Sequence, residues 1–151
     1  MKWELLLPKL MPLLCWLFRL LRRNRAPRGT VLIVEDNKYD AELLEAKLIK
    51  AGFKTEIATS GEAAEGMVRH KFYPVILMDM RLPRMSGEAL LRVLSEKSPN
   101  SNIVIVCGEP SDLASIPPGS FFTFIGKPAS ADAIVQLTRK LYIHEHNKPT
   151  K

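Results

Sequence analysis

Cysteine is nearly absent from this chain and histidine is rare: Cys15 and Cys107 make no metal-ligand spacing with any of the three histidines. Two thiols so far apart in sequence fit a reducing compartment. A long uninterrupted apolar run is missing as well. The most apolar stretch, Leu5 to Leu21, is broken by Pro8, Lys9, Pro12 and Arg19, whereas a membrane-spanning helix wants about 20 predominantly apolar residues. It carries no small-residue cleavage site, so it does not read as a secretory signal. Most of the chain also lacks an excess of either charge. Seven of the 22 Lys and Arg, but only Glu4 of the 16 Asp and Glu, lie in the first thirty residues, which leaves fifteen of each sign after Thr30. The basic character therefore belongs to the N-terminal segment, and the neutral body does not read as a nucleic-acid binder.

What is there falls into three parts: an apolar and basic segment with its linker at residues 1–29, a body at 30–143 and a polar end at 144–151. With 151 residues, the chain is long enough for one domain with a full core. If a helix in the first part begins with Pro12 in its first turn, Cys15, Arg19, Arg22 and Arg23 form a basic stripe, and Leu13, Leu14, Trp16, Leu17, Phe18, Leu20 and Leu21 cover the rest. Three readings of residues 5–25 stay open. They are an interfacial membrane anchor with arginines toward anionic headgroups, a helix docking on a partner or a second copy of the chain, and a single span with its positive flank inside the cell.

The body alternates between two periodicities. Val31–Val34, Lys54–Ala58, Val75–Met78, Ile103–Cys107 and Phe121–Ile125 read as strands; the first, third and fourth are apolar without interruption, as strands buried on both faces are. Between them, apolar residues recur at helical spacing. Asp40 is the expected cap of a helix carrying Leu43, Leu44, Leu48 and Ile49, Ser60 and Gly61 open a second, Gly87 leads into a third, and Asp132 begins the last. This alternation predicts an α/β fold, a doubly wound five-stranded parallel sheet. Pro117 and Pro118 predict that the helix between the fourth and fifth strands is short or disrupted.

The polar residues then fall at one edge. Glu35 and Asp36 end the first strand, Asp79 the third, Cys107 the fourth, and Lys127 the fifth. A lone Asp after a strand ordinarily serves a turn or a cap, but three carboxylates brought to one carboxyl edge repel unless a cation sits among them. Mg²⁺ fits, because it takes oxygen ligands, needs only one or two carboxylates and keeps waters that a phosphate can replace. Lys127 offers a mobile charge for that phosphate, or else only neutralises Asp79. Pro128 follows it, and an X–Pro bond is the kind that can be cis.

These motifs resemble the receiver domain of two-component response regulators. The resemblance rests on EDN at 35–37, Ser60-Gly61-Glu62, VILMD at 75–79 followed by a loop with Pro83, Met85 and Gly87, and Gly126-Lys127-Pro128. It covers Thr30 to about Tyr142 and implies a flavodoxin-like receiver fold. It also implies that Asp79 accepts a phosphoryl group from a phosphohistidine on a sensor histidine kinase or histidine phosphotransfer protein. Asp36 would bind Mg²⁺ directly, Glu35 through water, Asp79 itself and the Arg81 backbone carbonyl would join them, and Lys127 would contact a phosphoryl oxygen. The implied output is binding to a downstream protein, without enzymatic turnover beyond Mg²⁺-dependent self-phosphorylation and autodephosphorylation, in the cytoplasm or at the inner membrane face. No further domain is expected after the receiver, and the rival reading is a phosphorylation-independent interaction module.

Two departures bear on signalling. Cys107 stands where the family has Thr or Ser, and a thiol is a weak donor; it serves either as a poor phosphoryl contact or as a small buried residue. Phe124 takes the place of the family's switch aromatic. Arg81 and Glu109 occupy the positions flanking the attacking water in dephosphorylation, and their opposite charges are expected to pair over Asp79 and prolong the phosphorylated state.

Overall fold

The computed structural model describes residues 29–114, 116 and 122–146. The segment before Gly29, the Pro117-Pro118 pair and the last five residues lie outside them. The elements run β1 (Thr30–Val34), α1 (Lys38–Lys50), β2 (Lys54–Ala58), α2 (Gly61–His70), β3 (Val75–Asp79), α3 (Gly87–Lys97), β4 (Asn102–Cys107), a 3₁₀ turn (Pro110–Leu113), β5 (Thr123–Gly126) and α4 (Ala131–His146). All strands pair in parallel, in the order β2-β1-β3-β4-β5. Between β4 and β5, the described chain carries the 3₁₀ turn in place of a longer helix.

The sheet is covered on both faces, which is why its central strands show no polar alternation. Val75, Ile76, Leu77 and Met78 are 0–2% exposed. Ile76, Met78, Ile103, Ile105 and Cys107 pack with Leu90, Leu91 and Leu94 of α3 and Ala64 and Val68 of α2. Their neighbours Val75, Leu77, Val104 and Val106 face Leu48 of α1 and Ile134 and Val135 of α4. Truncating one such side chain, as in Leu77→Ala, typically costs about 2–5 kcal/mol.

Helix starts differ from the sequence expectation at two places. Asn37, not Asp40, caps α1: its side chain accepts from the Tyr39 and Asp40 backbone N–H groups. Ser130 rather than Asp132 serves α4, accepting from the Ala133 N–H at 3.1 Å. In each case an earlier polar residue meets the orphan donors first. Ser60 caps α2 through the Ala63 N–H as its position suggested. In α1 only Leu48 of the four expected core positions is fully buried, whereas Leu43 and Ile49 are 45% and 55% exposed. The fifth strand begins two residues later than its apolar run, at Thr123.

The loop after β3 doubles back on itself. Gly87 donates its N–H to the Met80 carbonyl at 3.2 Å, and a Cβ on Gly87 would lie 2.7 Å from the Met80 Cα and carbonyl oxygen. Only glycine permits this approach. It closes the turn that follows Asp79 and sets the start of α3, whose cap is Ser86.

Candidate functional site

Strand order fixes where the site lies. The chain leaves β1 toward β2 on one side and β3 begins on the other, so the carboxyl ends of β1 and β3 flank the point where the winding reverses, the usual ligand crevice of an open α/β sheet. Glu35 follows β1 and Asp79 ends β3. The backbone delivers Lys127 to the same edge: its N–H donates to the Cys107 carbonyl at 2.7 Å, beyond the end of β5. The Lys127–Pro128 bond is cis.

Three side chains meet there. Lys127 Nζ donates to Asp79 Oδ2 at 2.5 Å and stands 3.8 Å from Glu35 Oε2. Asp79 Oδ1 accepts from the Arg81 N–H at 2.9 Å, and Glu35 Oε1 from the Asn37 N–H at 3.2 Å. The Asp79 and Glu35 side chains are 10% and 13% exposed, that of Lys127 38%. Burial pushes the Glu35 carboxyl above its ordinary value; the Asn37 N–H opposes this, the Asp79 charge adds to it, and Lys127 offsets part of it. Burial alone would lower the Lys127 ammonium, but the Asp79 hydrogen bond and the charges of Asp79, Glu35 and Asp40 outweigh it and hold it above the usual range.

The acid pair is thus served by one partly solvated cation. Among the described residues no three His, Cys, Asp or Glu side chains are gathered into a metal-holding group, and Asp36 is exposed. Glu35 and Asp79 are nevertheless a matched oxygen pair, and Mg²⁺ requires no larger protein cage. Asp40 lies nearby, lining the same pocket and acting on both Glu35 and Lys127. Three carboxylates against one ammonium leave net negative charge for a hard divalent ion to balance.

A cavity of about 320 Å³ opens beside these groups, with walls of Leu43, Leu44, Pro128, Ala129 and Ile134. Asp40 and Asn37 are the parts that sequence reasoning undervalued. Both stood in the polar run after β1, where any residue can be taken for a cap.

The remaining candidates lie around this centre. Cys107 is fully buried in the core formed with α2 and α3, and its thiol donates to the Glu109 carbonyl at 3.4 Å. Phe124 sits on β5 beside Ile105, 41% exposed. The Arg81 and Glu109 side chains are both exposed, in the segments that follow β3 and β4.

Comparisons with known proteins agree with this geometry. The family model for the response regulator receiver domain matches residues 31–139. The C4-dicarboxylate transport transcriptional regulatory protein DctD of Rhizobium meliloti is 28% identical over 114 residues, 74% of this chain but 25% of its own length; the chain spans about a quarter of that relative. A solved signal receiver domain of a signal transduction histidine kinase from Syntrophus aciditrophicus is 27% identical with a TM-score of 0.70, covering 82% of this chain and 95% of that one. The CheY-like receiver domain protein from Methanospirillum hungatei, 20% identical, shares the fold with a TM-score of 0.73 over 78% of this chain and 96% of its own. With its crevice, its strand order and a match along most of its length in accord, this chain belongs to the response regulator receiver domain family.

Proposed function

We propose that this chain accepts a phosphoryl group on Asp79 from a phosphohistidine of a sensor kinase or phosphotransfer protein and passes the signal on by binding another protein. Receiver domains are signalling modules rather than classical enzymes, so what must be explained is one transfer. The observation that carries the reading is the grip on Asp79. Oδ1 is fixed by the Arg81 N–H and Oδ2 by Lys127, so the nucleophile is oriented before a donor arrives.

In the transfer a carboxylate oxygen of Asp79 forms a bond to phosphorus as the bond from phosphorus to the imidazole nitrogen breaks. The electron pair leaves with the imidazole, which takes up a proton. Lys127 exchanges its contact with Asp79 for one with a phosphoryl oxygen, neutralising the charge that gathers on the transferring group. Glu35, Asp36, Asp79 and the Arg81 carbonyl would hold Mg²⁺, which supplies further neutralisation of the phosphoryl oxygens when bound. Cys107 would offer the phosphoryl group only a thiol.

The finer parts of the reading are output through protein binding alone, a cytoplasmic site of action and membrane attachment through residues 5–25. No helix among the described residues is long and apolar enough to cross a membrane; residues 5–25 lie outside them, and their wide apolar face with a basic edge favours the interfacial anchor. The rival, an interaction module that works without phosphorylation, is favoured by one observation: the Cys107 thiol is turned to the Glu109 carbonyl. Labelling with acetyl phosphate separates the two. Modification of the wild type that needs Mg²⁺ and disappears in Asp79→Ala supports phosphoacceptance; labelling independent of Asp79, or none, supports the rival.

A further inference from the structure

The neutral charge of the body conceals a polarity between its two edges. Glu35, Asp36, Asp40 and Asp79 gather at the carboxyl edge, whereas the turns at the amino edge carry Lys50, Lys54, Arg69, His70, Lys71 and Lys97. Two depressions map this amino edge. One of about 340 Å³ is lined by Arg69, His70, Lys71, Phe72, Lys97 and Pro99; the other sets Lys54 and Lys71 against Glu45 and Glu56, with Ile49 and Phe53 beside them. Lys71 belongs to both, so the surface is continuous.

Its cations are not all committed to local partners. Lys71 pairs with Glu56 and Arg69 with Glu65, but among the described residues Lys50, Lys54 and Lys97 enter no ion pair. Apolar side chains stand out among them: Phe72 is 53% exposed and Ile49 55%. An exposed aromatic ring bordered by lysines has the composition of a surface that meets lipid headgroups, where the ring enters the interface and the lysines lie along it.

The chain itself enters the fold at this edge. The Gly29 carbonyl accepts from the Lys54 N–H at 3.0 Å, and Thr30 lines the second depression. Residues 1–28, with their apolar run and all seven N-terminal cations, therefore join the body beside Lys54 and Ile49. A segment held at a membrane would tether the domain by this edge.

We propose that the amino edge, through Lys54, Lys97 and Phe72, is a second contact with an anionic phospholipid surface, orienting the domain so that Asp79 faces away from the membrane and toward its phosphoryl donor. This rests on the anchor reading of residues 5–25 and adds an orientation to it. Charge complementarity and the shared edge with the N-terminal segment select the lipid surface over a second copy, whose own basic edge would repel this one.

The test uses the full chain with vesicles of phosphatidylcholine alone or with about a third phosphatidylglycerol, read by flotation and by amide hydrogen exchange. Expected is slower exchange at residues 69–73 and 97–101 on anionic vesicles, with residues 35–40 and 79–87 unchanged. In Lys54→Gln/Lys97→Gln/Phe72→Ser, partitioning should fall at least about fivefold, the effect of one lysine near such a surface, and the protection should vanish. Protection confined to residues 1–28, with the triple variant floating like the wild type, overturns the proposal and leaves the anchor standing. No flotation of the wild type overturns both. Protection of the same peptides without vesicles, rising with protein concentration, assigns the edge to a second copy and also overturns it.

Discussion

Lys127 Nζ meets Asp79 Oδ2 at 2.5 Å although 48 residues separate them in sequence. The ammonium is shared with Glu35, so it is the only cation that the described structure places between the two acids. Its removal should pull apart two properties that ordinarily move together. In Lys127→Met, Mg²⁺ should bind more tightly by roughly fivefold, about 1 kcal/mol after the screening expected of a side chain 38% exposed. Phosphorylation by acetyl phosphate should slow by at least about tenfold, because the transferring group loses its counter-charge. Isothermal titration of Mg²⁺ and labelling kinetics measure the two, and a parallel fall in both would refute the assigned role.

Arg81 donates its backbone N–H to Asp79, and its side chain, like that of Glu109 two residues after β4, is exposed. If their side chains shield the acyl phosphate from water, Arg81→Asn should shorten the life of the phosphorylated state several-fold while leaving its formation little changed. Loss of labelled phosphate after removal of the donor gives the rate directly. A variant that decays as slowly as the wild type removes Arg81 from this role.

Gly87 lets the loop after Asp79 close on Met80. Gly87→Ala should force Met80 away and destabilise the fold by about 1–3 kcal/mol, seen as a lower urea midpoint with an unchanged slope. The same shift should carry Arg81 with it and weaken the hold on Asp79 Oδ1, so labelling should slow even where the chain remains folded. Gly66 provides the control, since a Cβ there meets nothing within 4 Å; Gly66→Ala should be neutral or slightly stabilising.

Far from the site, Glu56 accepts hydrogen bonds from Lys71 and from the Tyr73 hydroxyl. Lys71 and then Tyr73 lower the Glu56 carboxyl below its ordinary value. Burial, with the Glu56 bond added, raises the Tyr73 hydroxyl above its own ordinary value. A lowered folded-state value means that the stabilisation is present above the unfolded value of 4.5 and is lost as pH falls through the folded one. Glu56→Gln should therefore cost about 1 kcal/mol at pH 7, the worth of one such hydrogen bond on a partly exposed side chain. The gap from wild type should narrow as pH falls below 4.5 and close once the folded-state carboxyl is protonated. Urea unfolding at pH 7 and along an acid series checks this, and a gap that persists throughout would show that packing, not charge, is responsible.

The parts of this fold legible in the sequence were those written in long-range apolar patterning. VLIV, VILM and IVIVC had to be buried on both faces, and a doubly covered sheet followed. Asp79 and Glu35 were legible because a buried strand must release its first polar residue at its end. Lys127 was legible from its place after the last strand, yet its choice between the two acids depended on strand order, which no single segment encodes. Asp36 was grouped with them by its place after Glu35 and by the family resemblance; it is exposed, and its part in holding Mg²⁺ is proposed. Caps were misassigned where several capping residues stood in a row, as with Asn37 and Asp40, since only backbone geometry decides among them. The polarity between acidic and basic edges was invisible because helices and strands return the chain to each edge in turn, so the charges average out along the sequence.

The close contact between Lys127 and Asp79 also limits when the chain can work. During synthesis, β1 and β3 can emerge with Glu35 and Asp79 already made, but the ammonium arrives only with the turn after β5, and that turn is held by the Cys107 carbonyl. On the proposed reading, a chain that stops before Lys127 lacks the counter-charge of Asp79 together with α4, whose Ile134 and Val135 cover one face of the sheet. Premature termination there should therefore cost the fold as well as the transfer, whereas loss of the ammonium alone only slows it.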